Sequence, residues 1–170
     1  MEDKLSIMNF EPGHFQRMKL RREDAEDLAG LDPAGLTRSW EGGRTLLKGG
    51  EPVMIYGFSV CQGTATLWAV TSPLLRSLPL FVTRLARNGI QGLFQAGVHR
   101  IEVYCHARNM RSLVWLTRIL GFRVEGLMRC CGPNRQDRFL LAVTNRDVGR
   151  RADAVPEKVS KPAEECIWAP

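Results

Sequence analysis

No stretch of this chain approaches the ~18 consecutive apolar residues that a membrane-crossing helix needs, so no such span is expected. The first residues, MEDKLSIMNFEPGHF, lack the basic start and apolar centre of a secretory signal. The expected site of action is therefore the cytoplasm, or the inside of a particle assembled there. Paired metal-ligand spacings are missing as well. The five cysteines, Cys61, Cys105, Cys130, Cys131 and Cys166, are odd in number, and two of them are adjacent. That pattern suits neither a zinc knuckle nor a disulfide framework; it reads as reduced thiols with no metal site. Lysine is scarce, 5 residues against 19 arginines, within a net charge of +6. The arginines cluster only at Arg17–Arg22 and Arg146–Arg151, and neither cluster is interleaved with aromatics. A nucleic-acid platform is not expected from that distribution, and a solvated basic surface is.

What is present is one domain's worth of chain. With 170 residues, 44% of them hydrophobic, it can bury a core without covalent staples. Periodicity and breakers divide it as follows. Gln16–Arg21 alternates and predicts a first strand; Asp24–Leu31 predicts a short helix with acids in its first turn, where the helix dipole favours them. Pro33–Trp40 predicts a second short helix, with Asp32 as its cap. Three strands follow as a meander, Arg44–Lys48, Val53–Val60 and Thr64–Val70, turning at Gly49-Gly50 and Gln62-Gly63. Ser77 to about Ala96 predicts the longest helix. The strand Arg100–Cys105, the helix Met110–Leu120 and the strands Phe122–Arg129 and Arg138–Val143 complete the domain, expected over 1–146. The remainder, 147–170, carries Pro156, Pro162 and Pro170 and cannot form a core of its own. It is expected to be an extended tail, docking on a protein partner or a neighbouring copy through Ile167 and Trp168. Trp40, Trp68 and Trp115 read as core aromatics.

Within Arg100–Val124 an alternating strand runs into Asn109 and Ser112. A helix with apolar Leu113, Leu116, Ile119 and Leu120 follows and ends at Gly121-Phe122, with Glu125-Gly126 close behind. That conjunction resembles the GCN5-related N-acetyltransferases, and most of all the branch that acylates protein N-termini and small amines. The resemblance covers about Met18–Val143. It implies an α/β (α+β) fold: a mixed, mostly antiparallel sheet flanked by helices, splayed between strands 4 and 5, with acetyl-CoA in the splay and an amine as acceptor. In the family the pyrophosphate rests on backbone amides after strand 4, at a Gln/Arg-x-x-Gly-x-Gly/Ala motif. The family's place for that cradle here is Val70, Thr71, Ser72, Arg76, Ser77 and Leu78, with Asn109 and Ser112 across the cleft. This chain departs from the motif, since Pro79 and Phe81 stand where glycine and a small residue are usual.

The family's tyrosine acid, four residues before Gly-Phe, falls on Thr117. Asn109 lies one residue farther from Gly121 than the pattern has it. No carboxylate lies on Thr64–Val70. His106, ending a cleft strand, is the best proton carrier left, against the plainer reading of a surface histidine; the catalytic candidates are His106, Asn109 and Thr117. His14 and His99 read as structural or exposed. The run Leu67–Ser72, followed by a strand, Asn109 and an aromatic-rich helix, is also similar to the acetyltransferase-like domain of the internal virion protein of short-tailed phages. That second resemblance implies a structural or assembly protein with impaired catalysis.

Overall fold

The computed structural model describes residues 4–30, Gly35, Trp40, 42–132 and 134–146. The expected tail and, apart from Gly35 and Trp40, the expected helix over Pro33–Trp40 lie outside the described residues. Among the described residues seven strands form one sheet in the order β1-β2-β3-β4-β5-β7-β6. They are β1 (Leu5–Asn9), β2 (Arg44–Lys48), β3 (Glu51–Cys61), β4 (Thr64–Thr71), β5 (Arg100–His106), β6 (Arg123–Met128) and β7 (Arg138–Thr144). Helices whose residues are described include α1 (Pro12–Arg17), α2 (Arg22–Leu28), α3 (Pro79–Gln95) and α4 (Met110–Val114).

Turn chemistry sets the strand directions. Gly49 and Gly50 (φ 58° and 87°), and Gln62 and Gly63 (φ 48° and 77°), supply the two successive positive φ angles of a tight hairpin. β2, β3 and β4 are therefore antiparallel neighbours. Between β4 and β5 the chain runs through α3 instead, and that crossover makes them the sheet's parallel pair. Alternation along the strands separates the faces. Ala65, Ile101, Val103, Cys105, Leu141 and Val143 pack with Ile90 of α3 and Leu116, just after α4. On the opposite face Ile55 and Val70 meet Met18 and Trp40, with Phe15, Leu28 and Trp68 against them. Trp68 stacks on Trp40 at 5.6 Å between ring centroids. Gly57 makes room for that stack: a Cβ there would stand 2.5 Å from the Trp68 ring.

The first strand is not where alternation put it. Gln16 and Arg17 end α1, which opens with Pro12 at its first turn and a reciprocal Glu11–His14 cap. The alternation of Met18 and Leu20 is nevertheless physical. That segment is extended but crosses the sheet's face, burying Met18 in the Trp40 cluster, and only the Arg21 amide bonds β4, at the Thr71 carbonyl (3.0 Å). The true first strand, β1, is an edge strand with four of its five residues exposed, so burial left no pattern to read. Two other boundaries moved. Pro73–Ser77 forms a separate 3₁₀ turn before α3, and the helix after β5 is α-helical only to Val114. Trp115–Ile119 continues as a π turn, closed by the Leu120 amide on the Trp115 carbonyl (3.1 Å), and Gly121 (φ 81°) ends it. Glu125-Gly126 has a structural reading. Arg100 binds Glu125 with two hydrogen bonds (2.8 and 2.5 Å) across β7, and the pairing of β6 with β7 slips between Val124 and Gly126.

Candidate active site

The sheet opens where the parallel pair ends. β4 and β5 are paired only from Thr64↔Arg100 to Leu67↔Val103, although β4 continues to Thr71 and β5 to His106. Each strand stays fully paired on its other side, β4 with β3 and β5 with β7. A wedge between Trp68–Thr71 and Tyr104–His106 follows. The Ser72 amide donates to the Val53 carbonyl (3.0 Å). By antiparallel alternation Val70 and Trp68 then turn their peptide groups to β3, whereas Ala69 and Thr71 turn theirs into the wedge.

The two wedge-facing residues differ. Thr71 is clasped by the chain entering α2. Its amide (3.0 Å) and its hydroxyl (2.5 Å) both donate to Asp24 Oδ2, and its carbonyl accepts the Arg21 amide. Arg21 Nε also reaches Asp24 Oδ2 (3.2 Å), and both side chains are largely buried, 16% and 13% exposed. Ala69 is exposed. Of the residues expected to cradle phosphate, Val70 and Thr71 are buried and Ser72, 1% exposed, caps the 3₁₀ turn by accepting the Leu74 amide. The Leu78 amide is committed to the Leu75 carbonyl. Arg76 and Ser77 are exposed, and Lys48 of β2 donates to Ser77 Oγ (3.2 Å). Lys48 is an addition that hairpin spacing alone could not supply.

The catalytic candidates also resolve into definite geometry. Asn109 is buried and accepts the Ser112 amide on Oδ1 (3.1 Å), so both residues fix the first turn of α4. The Thr117 hydroxyl donates to the Leu113 carbonyl (2.8 Å) on its own helix. His106 is not a surface histidine: it is 6% exposed. Its Nδ1 accepts the Arg108 amide (3.0 Å), so the neutral ring carries its proton on Nε2 and acts there as a donor. To take a proton the ring would have to give up that bond. His14 is buried too, with Nδ1 3.0 Å from Thr45 Oγ1.

Sequence reading missed the acids. No carboxylate lies on β4, but α2 brings Asp24, Glu26 and Asp27 to the ends of the wedge strands. The helical spacing of REDAEDL carries that signal beside its dipole complementarity. Beside His106 a cavity of about 480 Å³ is lined by Glu26, Ala29, Arg108, Gln136 and Asp137, among others. The β6–β7 turn closes over it, with Asn134 and Gln136 both donating to the Glu26 carbonyl (3.1 and 3.2 Å). Burial, reinforced by Asp27, pushes the Cys105 thiol up to about 11. An unfolded thiol ionises near ~8.5. The folded state therefore holds its proton longer, and stability from this group is intact below that pH and falls as pH rises towards 11. Alkylation at pH near ~9 should accordingly label exposed Cys61, Cys130 and Cys131 quickly and Cys105 last, as peptide mass mapping would show.

Neither a protein-family model nor a curated sequence matches the chain. Solved structures do match in shape. The ribosomal-protein-S18-alanine N-acetyltransferase from Escherichia coli superposes with a TM-score of 0.64 at 18% identity, over 83% of this chain and 94% of that one. RimJ from Mycobacterium smegmatis, in complex with CoA-disulfide, gives 0.64 at 17% over 87% and 85%. The protein yncA from Salmonella typhimurium, solved with acetyl-CoA, gives 0.58 at 15% over 82% and 93%. The phage virion resemblance draws no support from these structures. Identities this low speak for architecture alone, and that architecture is the fold of the GCN5-related N-acetyltransferases.

Proposed function

We propose that the chain is an N-acetyltransferase that takes its acetyl group from acetyl-CoA and delivers it to an amine. The observation that carries this reading is the wedge, with the exposed Ala69 peptide turned into it while both flanking strands are fully paired elsewhere. An arm that carries amides, such as pantetheine, fits an unpaired strand edge of this kind. The phosphate end fits less like the family pattern. No glycine loop opens α3, and the cations Arg76 and Lys48 beside Ser77 take over what free amides would otherwise supply.

When bound, the coenzyme supplies a thioester-activated acetyl group. The chain's own part is to hold the arm at Ala69 and the phosphates near Arg76 and Ser77. At the other end of the wedge His106 donates from Nε2 to an oxygen. The cavity beside it carries Glu26 and Asp137 as acceptors for an amine, alongside Arg108 and Arg135. Asn109 and Ser112 hold the start of α4 against the wedge.

Calorimetric titration of the full chain with acetyl-CoA tests the reading. Saturable binding is expected, and Arg76→Ala should weaken it by about 1–3 kcal/mol, the range for a charge-assisted hydrogen bond. Unchanged affinity in that variant would move the phosphates elsewhere. Silence at millimolar ligand would remove the catalytic reading and favour a non-catalytic use of the fold.

A further inference from the structure

The two edges of the sheet are built differently. β6 carries Arg123 and Glu125, and its pairing slips between Val124 and Gly126. Charges and bulges of that kind keep a further strand from adding to an exposed edge. β1, at the opposite edge, has neither. Its residues, Leu-Ser-Ile-Met-Asn, are uncharged and include no proline. They pair with β2 in unbroken register from Leu5↔Lys48 to Asn9↔Arg44. Ile7 and Met8 are each 41% exposed. The direction of the backbone groups is fixed at both ends of the strand. The Lys4 carbonyl accepts the Gly49 amide (3.0 Å), and the Phe10 amide donates to the Gly43 carbonyl (2.9 Å). Lys4, Ser6, Met8 and Phe10 therefore turn to β2, and Leu5, Ile7 and Asn9 turn their amides and carbonyls outward. Those outward groups have no hydrogen-bond partner among the described residues.

We propose that this edge receives β1 of a second copy of the chain, antiparallel, across a two-fold axis at Ile7. In that register Leu5 stands opposite Asn9 of the second copy, and Ile7 stands opposite Ile7. Every outward-turned residue then meets an outward-turned one, and each such pair exchanges both of its backbone bonds. Ile7 packs on Ile7 on one face of the sheet, and Ser6 beside Met8 on the other. The same register brings the exposed Lys4 of each copy to the end where the exposed Glu11 of the other lies. Opposite charges thus close a neutral strand at both ends, a symmetry that an unrelated extended peptide would not share. β1 is short, so the surface buried lies at the small end for a specific interface, and the dimer forms at high concentration. β2 and β3 stand between β1 and β4, so both wedges stay open.

Sedimentation velocity of the full chain, over concentrations up to about 1 mM, tests this. A dimer whose fraction rises with concentration is expected. Ile7→Pro removes the outward amide at the axis and no bond to β2, so association should weaken at least ~tenfold with backbone dichroism unchanged. Ile7→Lys and Ile7→Glu should each be monomeric alone, because like charges meet at the axis, and an equimolar mixture should recover a heterodimer. Acetyl-CoA binding should be the same in all of them. A chain that stays monomeric throughout overturns the proposal, and so does a dimer that Ile7→Pro leaves intact. Slow amide exchange at Leu5, Ile7 and Asn9 in a monomer would put another segment of the same chain on the edge, and overturns it as well. If the two charged variants fail to associate when mixed, the axis does not lie at Ile7 and this pairing is wrong.

Discussion

Leu141→Ala should lower the free energy of unfolding by about 2–5 kcal/mol, the range for truncating a fully enclosed leucine. Leu141 is 0% exposed and sits in β7 between Val103 of β5 and Val124 of β6. β7 is the strand that holds β5 in place where β4 has parted from it, so no second neighbour can take up the slack at the end of β5. The loss should appear in denaturant unfolding, with a fall in Tm on the order of 10 °C. It should be accompanied by weaker ligand binding, because β7 also carries Arg138 opposite His106. A loss of less than 1 kcal/mol would mean that this half of the sheet repacks freely.

Asp24→Ala should cost about 2–4 kcal/mol, more than a surface ion pair could. One carboxylate oxygen accepts from the Thr71 amide, the Thr71 hydroxyl and Arg21 Nε, in a setting where both partners of the ion pair are mostly buried. Its removal leaves a buried amide and a guanidinium without their acceptor. The stability loss is measured by chemical denaturation. The same variant frees the wedge-facing edge of Thr71, so acetyl-CoA affinity should not fall with stability. A parallel loss of both would show that the clasp shapes the cleft rather than covering its edge.

Much of this architecture was legible from residues. The hairpins at Gly49-Gly50 and Gln62-Gly63, the crossover through α3 and the parallel β4–β5 pair all follow from local signals. Turn residues, strand alternation and connection length act over a few positions each. β1 was not legible, because an edge strand with exposed side chains bonds through its backbone alone, while the buried crossing of Met18 and Leu20 imitates a strand's alternation. The site was legible in part. The parting of β4 from β5, beside which the candidate residues His106 and Arg76 were expected, could be read. The tautomer of His106 could not, since the Arg108 amide that fixes its proton depends on how the chain turns after β5. Nor could the α2 acids, whose meaning comes from 47 residues away, where Asp24 meets Thr71.

The stacked indoles of Trp40 and Trp68 give the molecule an optical signature of its own state. Two indoles stacked at 5.6 Å with rings inclined by 19° perturb each other's electronic transitions, and the resulting couplet reports their contact. One ring belongs to the N-terminal layer and the other to the strand that borders the wedge. Trp115 lies on the far side of the sheet, its indole N–H on Thr83 Oγ1 (3.0 Å), and stands apart from this couplet. Loss of the couplet while backbone dichroism persists would therefore report the N-terminal layer lifting off an otherwise intact sheet.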